Sequence, residues 1–177
     1  MRKEIVIAGV GGQGVQRLGG VLAKALHEKG FLVSLKSEYG PEARGGASFS
    51  QVVVKESLED WPEILKVDIL VAMSQEGYNA WIHKTTKESI VLFDNGLVES
   101  VPLLHTRQHP IPASKVAGEL GSQIVANMVM LGAVASVTGL LALEDISPVV
   151  EKSARKFAGV NLEAVKQGYK SGSLLEG

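Results

Sequence analysis

Gly9, Gly11 and Gly14 fit the spacing G-x-G-x-x-G, with Gly12 and Gln13 filling the turn between them. Where a turn joins a strand to a helix, that spacing has three physical effects. It admits positive φ, it lets another group approach the backbone, and it leaves the first helical N–H groups facing an anion. The chemistry this suggests is phosphate binding; the pattern is weak alone and gains weight between a strand and a helix. The same glycines also suit plain helix–strand packing or a subunit contact. Gln13 at the mouth of the loop can donate and accept a hydrogen bond without adding charge. Glu38, 24 residues past Gly14, stands where a dinucleotide fold carries its acidic ribose ligand, or is simply a solvated residue.

A second loop, Ser37 to Gly46, holds Gly40, Pro41, Gly45 and Gly46. Arg44, with Gly45 beside it, can clamp a phosphate or a partner's carboxylate in a bidentate fork. Its structural alternative is a salt bridge to Glu38 or Glu42. Tyr39 either stacks on a ligand or fills a subunit interface, where tyrosine is enriched. Asn95, inside Asp94-Asn95-Gly96, lies at the carboxyl end of an expected strand, the edge at which open α/β sheets take ligands. It also reads as an ordinary turn.

No self-contained catalytic set accompanies these loops. His27 sits among Lys and Glu on the first helix, and His83 falls at a helix end beside Lys84. His105 and His109 are four apart but lie in a Pro-containing extended stretch, so helical metal-ligand geometry fails there. No metal site is expected, and no catalytic residue is assigned.

The elements that must position the loops read clearly from hydrophobic periodicity. Ile5-Val6-Ile7-Ala8 is a short buried strand, and Val15, Leu18, Val21, Leu22, Ala25 and Leu26 recur at helical spacing. Gly30 is the expected helix terminator, and Phe31–Leu35 a second strand, making a βαβ unit. Further strands are expected at 47–55, 67–73 and 89–94, with an extended stretch from His105 to Pro112. A helix start is expected at Asp60-Trp61-Pro62, and Ser74 should cap a helix reaching about Lys84. Helices at 113–120, 122–140, 143–157 and 162–172 complete the pattern. The expected fold is α/β: a Rossmann-like three-layer domain with a mainly parallel sheet and helices on both faces, spanning 1–177 as one unit.

Composition narrows the function classes. The chain has 177 residues, a formal charge of −1 and no cysteine. Near-neutral charge argues against a nucleic-acid partner, which needs a basic excess. Without cysteine the chain holds no disulfide, no thiolate zinc and no cysteine-ligated iron–sulfur cluster. The apolar run at the N-terminus is too short for a signal peptide, and Met128–Leu143 falls short of a membrane span. A cytoplasmic protein is expected.

Taken together, Gly9–Val15, Tyr39–Gly46 and Asn127-Met128-Val129-Met130-Leu131-Gly132-Ala133 resemble the gamma subunit of 2-oxoacid:ferredoxin oxidoreductases, the enzymes of pyruvate, 2-oxoglutarate, branched-chain 2-oxoacids or indolepyruvate. The resemblance runs from Ile5 to about Gly139. It implies a multisubunit enzyme that decarboxylates a 2-oxoacid on thiamine diphosphate, passes electrons through [4Fe–4S] clusters to ferredoxin, and delivers the acyl group to coenzyme A. It also implies alpha, beta and delta-type partner subunits, with the cofactors held there and this chain inactive alone. The alternative from the glycine loop and Glu38 is a free-standing NAD-binding protein. The ligand of the loop stays open between a phosphate-bearing group and a partner surface.

Overall fold

The computed structural model describes residues 2–40, 46–55, 57, 64–100, 106–153 and 157–174. The helix start expected at Trp61-Pro62 lies outside the described residues, as do Arg44, Gly45 and His105. Strand β1 (Lys3–Val10) leads through the glycine turn into α1 (Val15–Glu28), which ends before Gly30 at φ 100°. Strands β2 (Leu32–Tyr39) and β3 (Ala47–Lys55) follow, then β4 (Val67–Ala72). Ser74 caps α2 (Gln75–Trp81), its hydroxyl oxygen accepting from the Gly77 N–H at 3.0 Å. A 3-10 turn over Ile82–Lys84 leads into β5 (Thr85–Asp94), and β6 (Arg107–Ile111) is followed by α3 (Ala113–Glu119). The expected helix over 122–140 is a 3-10 turn at Gln123–Val125 and then α4 (Ala126–Thr138), closed by Gly139 at φ 64°. Helices α5 (Leu143–Ser153) and α6 (Ala158–Ser173) complete the described chain.

The six strands lie in the order β2-β3-β1-β4-β5-β6. Pairings β1–β4, β4–β5 and β5–β6 are parallel, while β3 is antiparallel to both β1 and β2. Strands β1 and β2 therefore run the same way, as a βαβ unit requires, but they do not touch. β3 folds back between them.

Alternation along the strands divides the interior. Ile5 and Ile7 of β1, Val52 and Val54 of β3, and Ile69 and Val71 of β4 face the larger core with α1 and α3–α6. Val6, Ala8, Leu70, Ala72, Val91 and Phe93 face the other side, where Tyr78 and Trp81 of α2 cover them. Period-two alternation with both faces apolar is what a sheet covered on both sides needs. Helix α4 is buried along nearly its whole length, which explains its unbroken apolar run. Among the described residues no helix is long and apolar enough to cross a membrane.

Candidate functional site

The carboxyl ends of β1, β4 and β5 meet at one edge of the sheet, and the glycine turn stands over that edge. Its backbone is tightly held. Gln13 N donates to Val10 O at 3.2 Å, and Gly11 N donates to Gly46 O at 2.9 Å, which joins the two glycine loops. Gly12 and Gly14 take φ of 94° and 76°, a region costly for any residue with a Cβ. A Cβ on Gly9 would stand 2.8 Å from Val15 Cγ2, so that position is required by close approach.

Gln13 has a different task from the one its place in the loop suggested. Its Oε1 accepts from Val10 N at 2.9 Å, and its Nε2 donates to Met73 O at 2.6 Å. Both functions of the amide are engaged within the chain, tying the turn to the end of β4. Gln13 is a structural strut that also borders a cavity.

Helix α1 starts at Val15 with Gly14 as N-cap, which offers no side-chain oxygen, and the first turn holds no acidic residue. Its first intrahelical bond is Leu18 N to Gly14 O at 2.9 Å. The N–H groups of Val15, Gln16 and Arg17 thus lack intrahelical acceptors, and the dipole there favours negative charge. They open on a cleft of about 330 Å³ bordered by Gly11, Gly12, Arg17, Tyr39 and Ser48. That volume lies within the roughly 300–1,000 Å³ of small-molecule sites. Arg17 is half-buried, and its Nη2 is buried without a hydrogen-bond partner. Tyr39 is 73% exposed, so its ring is available at the cleft's edge. On the other side of the turn, Gly12, Gln13, Met73, Asp94, Ser114 and Ile124 border a second cavity of about 220 Å³.

Other expected contacts fall elsewhere. Glu38 is on β2 rather than in a loop, and its carboxylate pairs with Lys36 at 2.7 Å. With β3 between β2 and β1, Glu38 is two strands from the glycine turn. The dinucleotide arrangement, in which the acidic residue ends the strand next to β1, is not formed. Asn95 is exposed in the turn after β5, its backbone N–H donating to Ile111 O at 3.0 Å. Its neighbour Asp94 is the buried one. Asp94 Oδ1 accepts from Gly96 N at 3.1 Å and Ser114 Oγ at 2.8 Å, and Oδ2 from Ser114 N at 3.0 Å. This carboxylate holds the start of α3 against the end of β5.

Four residues at the site were missed from sequence. Gln16 Nε2 donates to Phe49 O at 2.8 Å, with Ser48 Oγ at 3.1 Å and Glu38 O at 3.2 Å also within reach. Asn127, fully buried, donates to Gly14 O at 3.2 Å. Arg17 alone had a legible signal, as the cation in the first helical turn after the glycines. Gln16, Ser48 and Asn127 act through partners distant in sequence. His27 and His83 are exposed, and His109 lies on β6. Among the described residues no group of three or more His, Asp or Glu is placed to hold a metal.

Residues 4–171 match the family described as pyruvate ferredoxin/flavodoxin oxidoreductase. The chain is 39% identical over 175 residues to the 2-oxoglutarate synthase subunit KorC of Methanocaldococcus jannaschii, covering 96% of this chain and 93% of that protein. Among solved structures, the gamma subunit of a keto/oxoacid ferredoxin oxidoreductase from Geobacter sulfurreducens superposes with TM-score 0.83 at 29% identity, over 96% of this chain and 98% of that one. The same fold recurs in the 2-oxoglutarate:ferredoxin oxidoreductase of Magnetococcus marinus, with TM-score 0.88 at 24% identity, over 98% of this chain and 31% of that chain. The free-standing NAD-binding alternative finds no support in these likenesses or in the strand order.

Proposed function

We infer that this chain, which belongs to the pyruvate ferredoxin/flavodoxin oxidoreductase family, is the gamma subunit of a multisubunit 2-oxoacid:ferredoxin oxidoreductase whose 2-oxoacid is 2-oxoglutarate. The observation that carries the substrate is the 39% identity, along almost the entire chain, to a 2-oxoglutarate synthase subunit. In such an enzyme the 2-oxoacid loses carbon dioxide, two electrons leave through iron–sulfur clusters to ferredoxin, and the acyl group passes to the thiol of coenzyme A. The partners are alpha, beta and delta-type subunits, and the expected compartment is the cytoplasm.

The chain's own residues divide these tasks. With no cysteine and no metal-spaced cluster among the described residues, it does not fit an iron–sulfur cluster, so the electron path runs through the partners. Thiamine chemistry is the cofactor's own, and the protein supplies position and electrostatics. What supports a phosphate-bearing ligand in the cleft at the glycine turn is that the start of α1, the residue Arg17 and the exposed Tyr39 all border it. Arg17 would hold the phosphates of coenzyme A, and Tyr39 would offer a flat face for its base. Gly11, Gly12 and Gly14 border this cleft, and Arg44 and Gly45, which precede Gly46 in the sequence, are further candidates.

The test is co-purification with the partner subunits, followed by coenzyme A-dependent dye reduction with 2-oxoglutarate, pyruvate and 3-methyl-2-oxobutanoate. The highest kcat/KM should be with 2-oxoglutarate; preference for another acid overturns the substrate. In the same complex Arg17→Met should raise KM for coenzyme A about tenfold with kcat little changed, the worth of a charge-assisted hydrogen bond. An unchanged KM would remove the cleft from coenzyme A binding.

A further inference from the structure

Among the described residues, strand β2 ends the sheet and pairs on one side only, with β3. Its backbone phase is known: Gly40 N donates to Ala47 O at 2.6 Å, so even-numbered residues turn their N–H and C=O toward β3. Those of residues 33, 35, 37 and 39 therefore point away from the sheet. Such an open edge invites another strand, and proteins usually discourage it with charge, lysine above all. Here Lys36 is answered by Glu38 two positions on, and the two already form an ion pair at 2.7 Å. On the opposite face of the strand, Leu35 and Tyr39 are 45% and 73% exposed.

We propose that the outer edge of β2 pairs with the same edge of a second copy of this chain, antiparallel and centred on Ser37. Under that two-fold axis residue 37 meets the partner's Ser37, Lys36 meets the partner's Glu38, and Leu35 meets the partner's Tyr39. The contact is isologous, so each pair occurs twice. One face gains two cross-strand ion pairs and the other gains two aliphatic–aromatic pairs, the combinations that stabilise antiparallel strands. The phase also agrees. Residues 35, 37 and 39 carry the outward hydrogen-bonding groups, while 36 and 38 fall at the closer non-hydrogen-bonded positions. Moving the two-fold axis by one residue, to 36 or 38, sets Lys36 or Glu38 against itself. A second copy satisfies this pattern without any further requirement on its sequence, whereas a different subunit would need a matching strand of its own. Tyr39 also borders the cleft at the glycine turn, so the partner's Leu35 would stand beside that cleft.

Because the chain lacks cysteine, single cysteines report the register cleanly. Residues facing each other as a hydrogen-bonded pair have Cα atoms about 5.5 Å apart, within disulfide range. Under mild oxidation of the purified chain, Ser37→Cys should form a disulfide-linked dimer, at least about tenfold faster than Lys36→Cys or Glu38→Cys. By sedimentation velocity, Lys36→Glu alone and Glu38→Lys alone should each raise the dimer's Kd about tenfold, and the double exchange should restore it. A merely intrachain role for the pair would leave Kd unmoved. A monomer at several hundred micromolar, or equal cross-linking at all three positions, overturns the proposal. So does cross-linking of Ser37→Cys within the co-purified complex to a subunit other than a second copy, engineered with a cysteine on its own edge strand; that result would leave the subunit assignment standing.

Discussion

At the scale of single residues, the glycine turn depends on one amide more than on any charge. Gln13 satisfies Val10 N and Met73 O together, so Gln13→Ala leaves a donor and an acceptor unpaired next to a cavity. Its expected cost is about 1–3 kcal/mol, measured as a shift in the urea midpoint with unchanged slope. Gln13→Glu should recover little, because a carboxylate cannot donate to Met73 O. The glycines and their φ demands were legible in the sequence, since a turn's conformation is local. The task of Gln13 was not, because its acceptor is 60 positions away. Glu38 was misplaced for the same reason: its distance from the turn depends on which strand comes between.

At the scale of elements, α1 and α5 are joined where Lys29 meets Asp145 at 2.7 Å. Asp145 also accepts from Ala142 N at 2.7 Å, closing the first turn of α5 in the manner of a capping box. The hydrogen bond from Lys29, followed by that from the Ala142 backbone, holds the Asp145 carboxyl below its ordinary pKa. A lowered folded-state pKa means that protons bind the unfolded chain more readily. The stabilisation is therefore present above the ordinary carboxylate range and is lost as pH falls through the folded value. Asp145→Asn should be less stable than the parent at pH 7, with the gap closing below about pH 4, as thermal melts across that range would record. Both groups are partly solvated, so the gap should also narrow in high salt. The long apolar run that became α4 was readable as a buried helix. Its 3-10 entry at Gln123–Val125 was not, because hydrophobicity does not distinguish the two helical windings.

At the scale of the whole molecule, this unit is one component of a larger machine. The chain by itself should show no 2-oxoacid-dependent dye reduction and, with no cysteine, should contain no stoichiometric iron. Activity and iron should appear together when the other subunits are added, and metal analysis of each fraction checks this directly. Activity in the lone chain would contradict its assignment as a subunit.

By itself the sequence determined the strand–turn–helix within residues 1 to about 30, the aliphatic strands, the buried helix within 122–140 and the impossibility of thiolate clusters. Each of these follows from local backbone chemistry, from side-chain periodicity, or from a count. Only the tertiary structure decided that β3 runs back between β1 and β2, that Arg17 and Tyr39 share a cleft with the glycine turn, and that β2 is the edge of the sheet among the described residues. A run such as Gln51-Val52-Val53-Val54 has the same pattern whether its neighbour is parallel or antiparallel. Its partners are chosen by long-range register and by what both faces bury. The glycine turn was thus visible from the first residues, while the neighbours that define its chemistry came from strands and helices far along the chain.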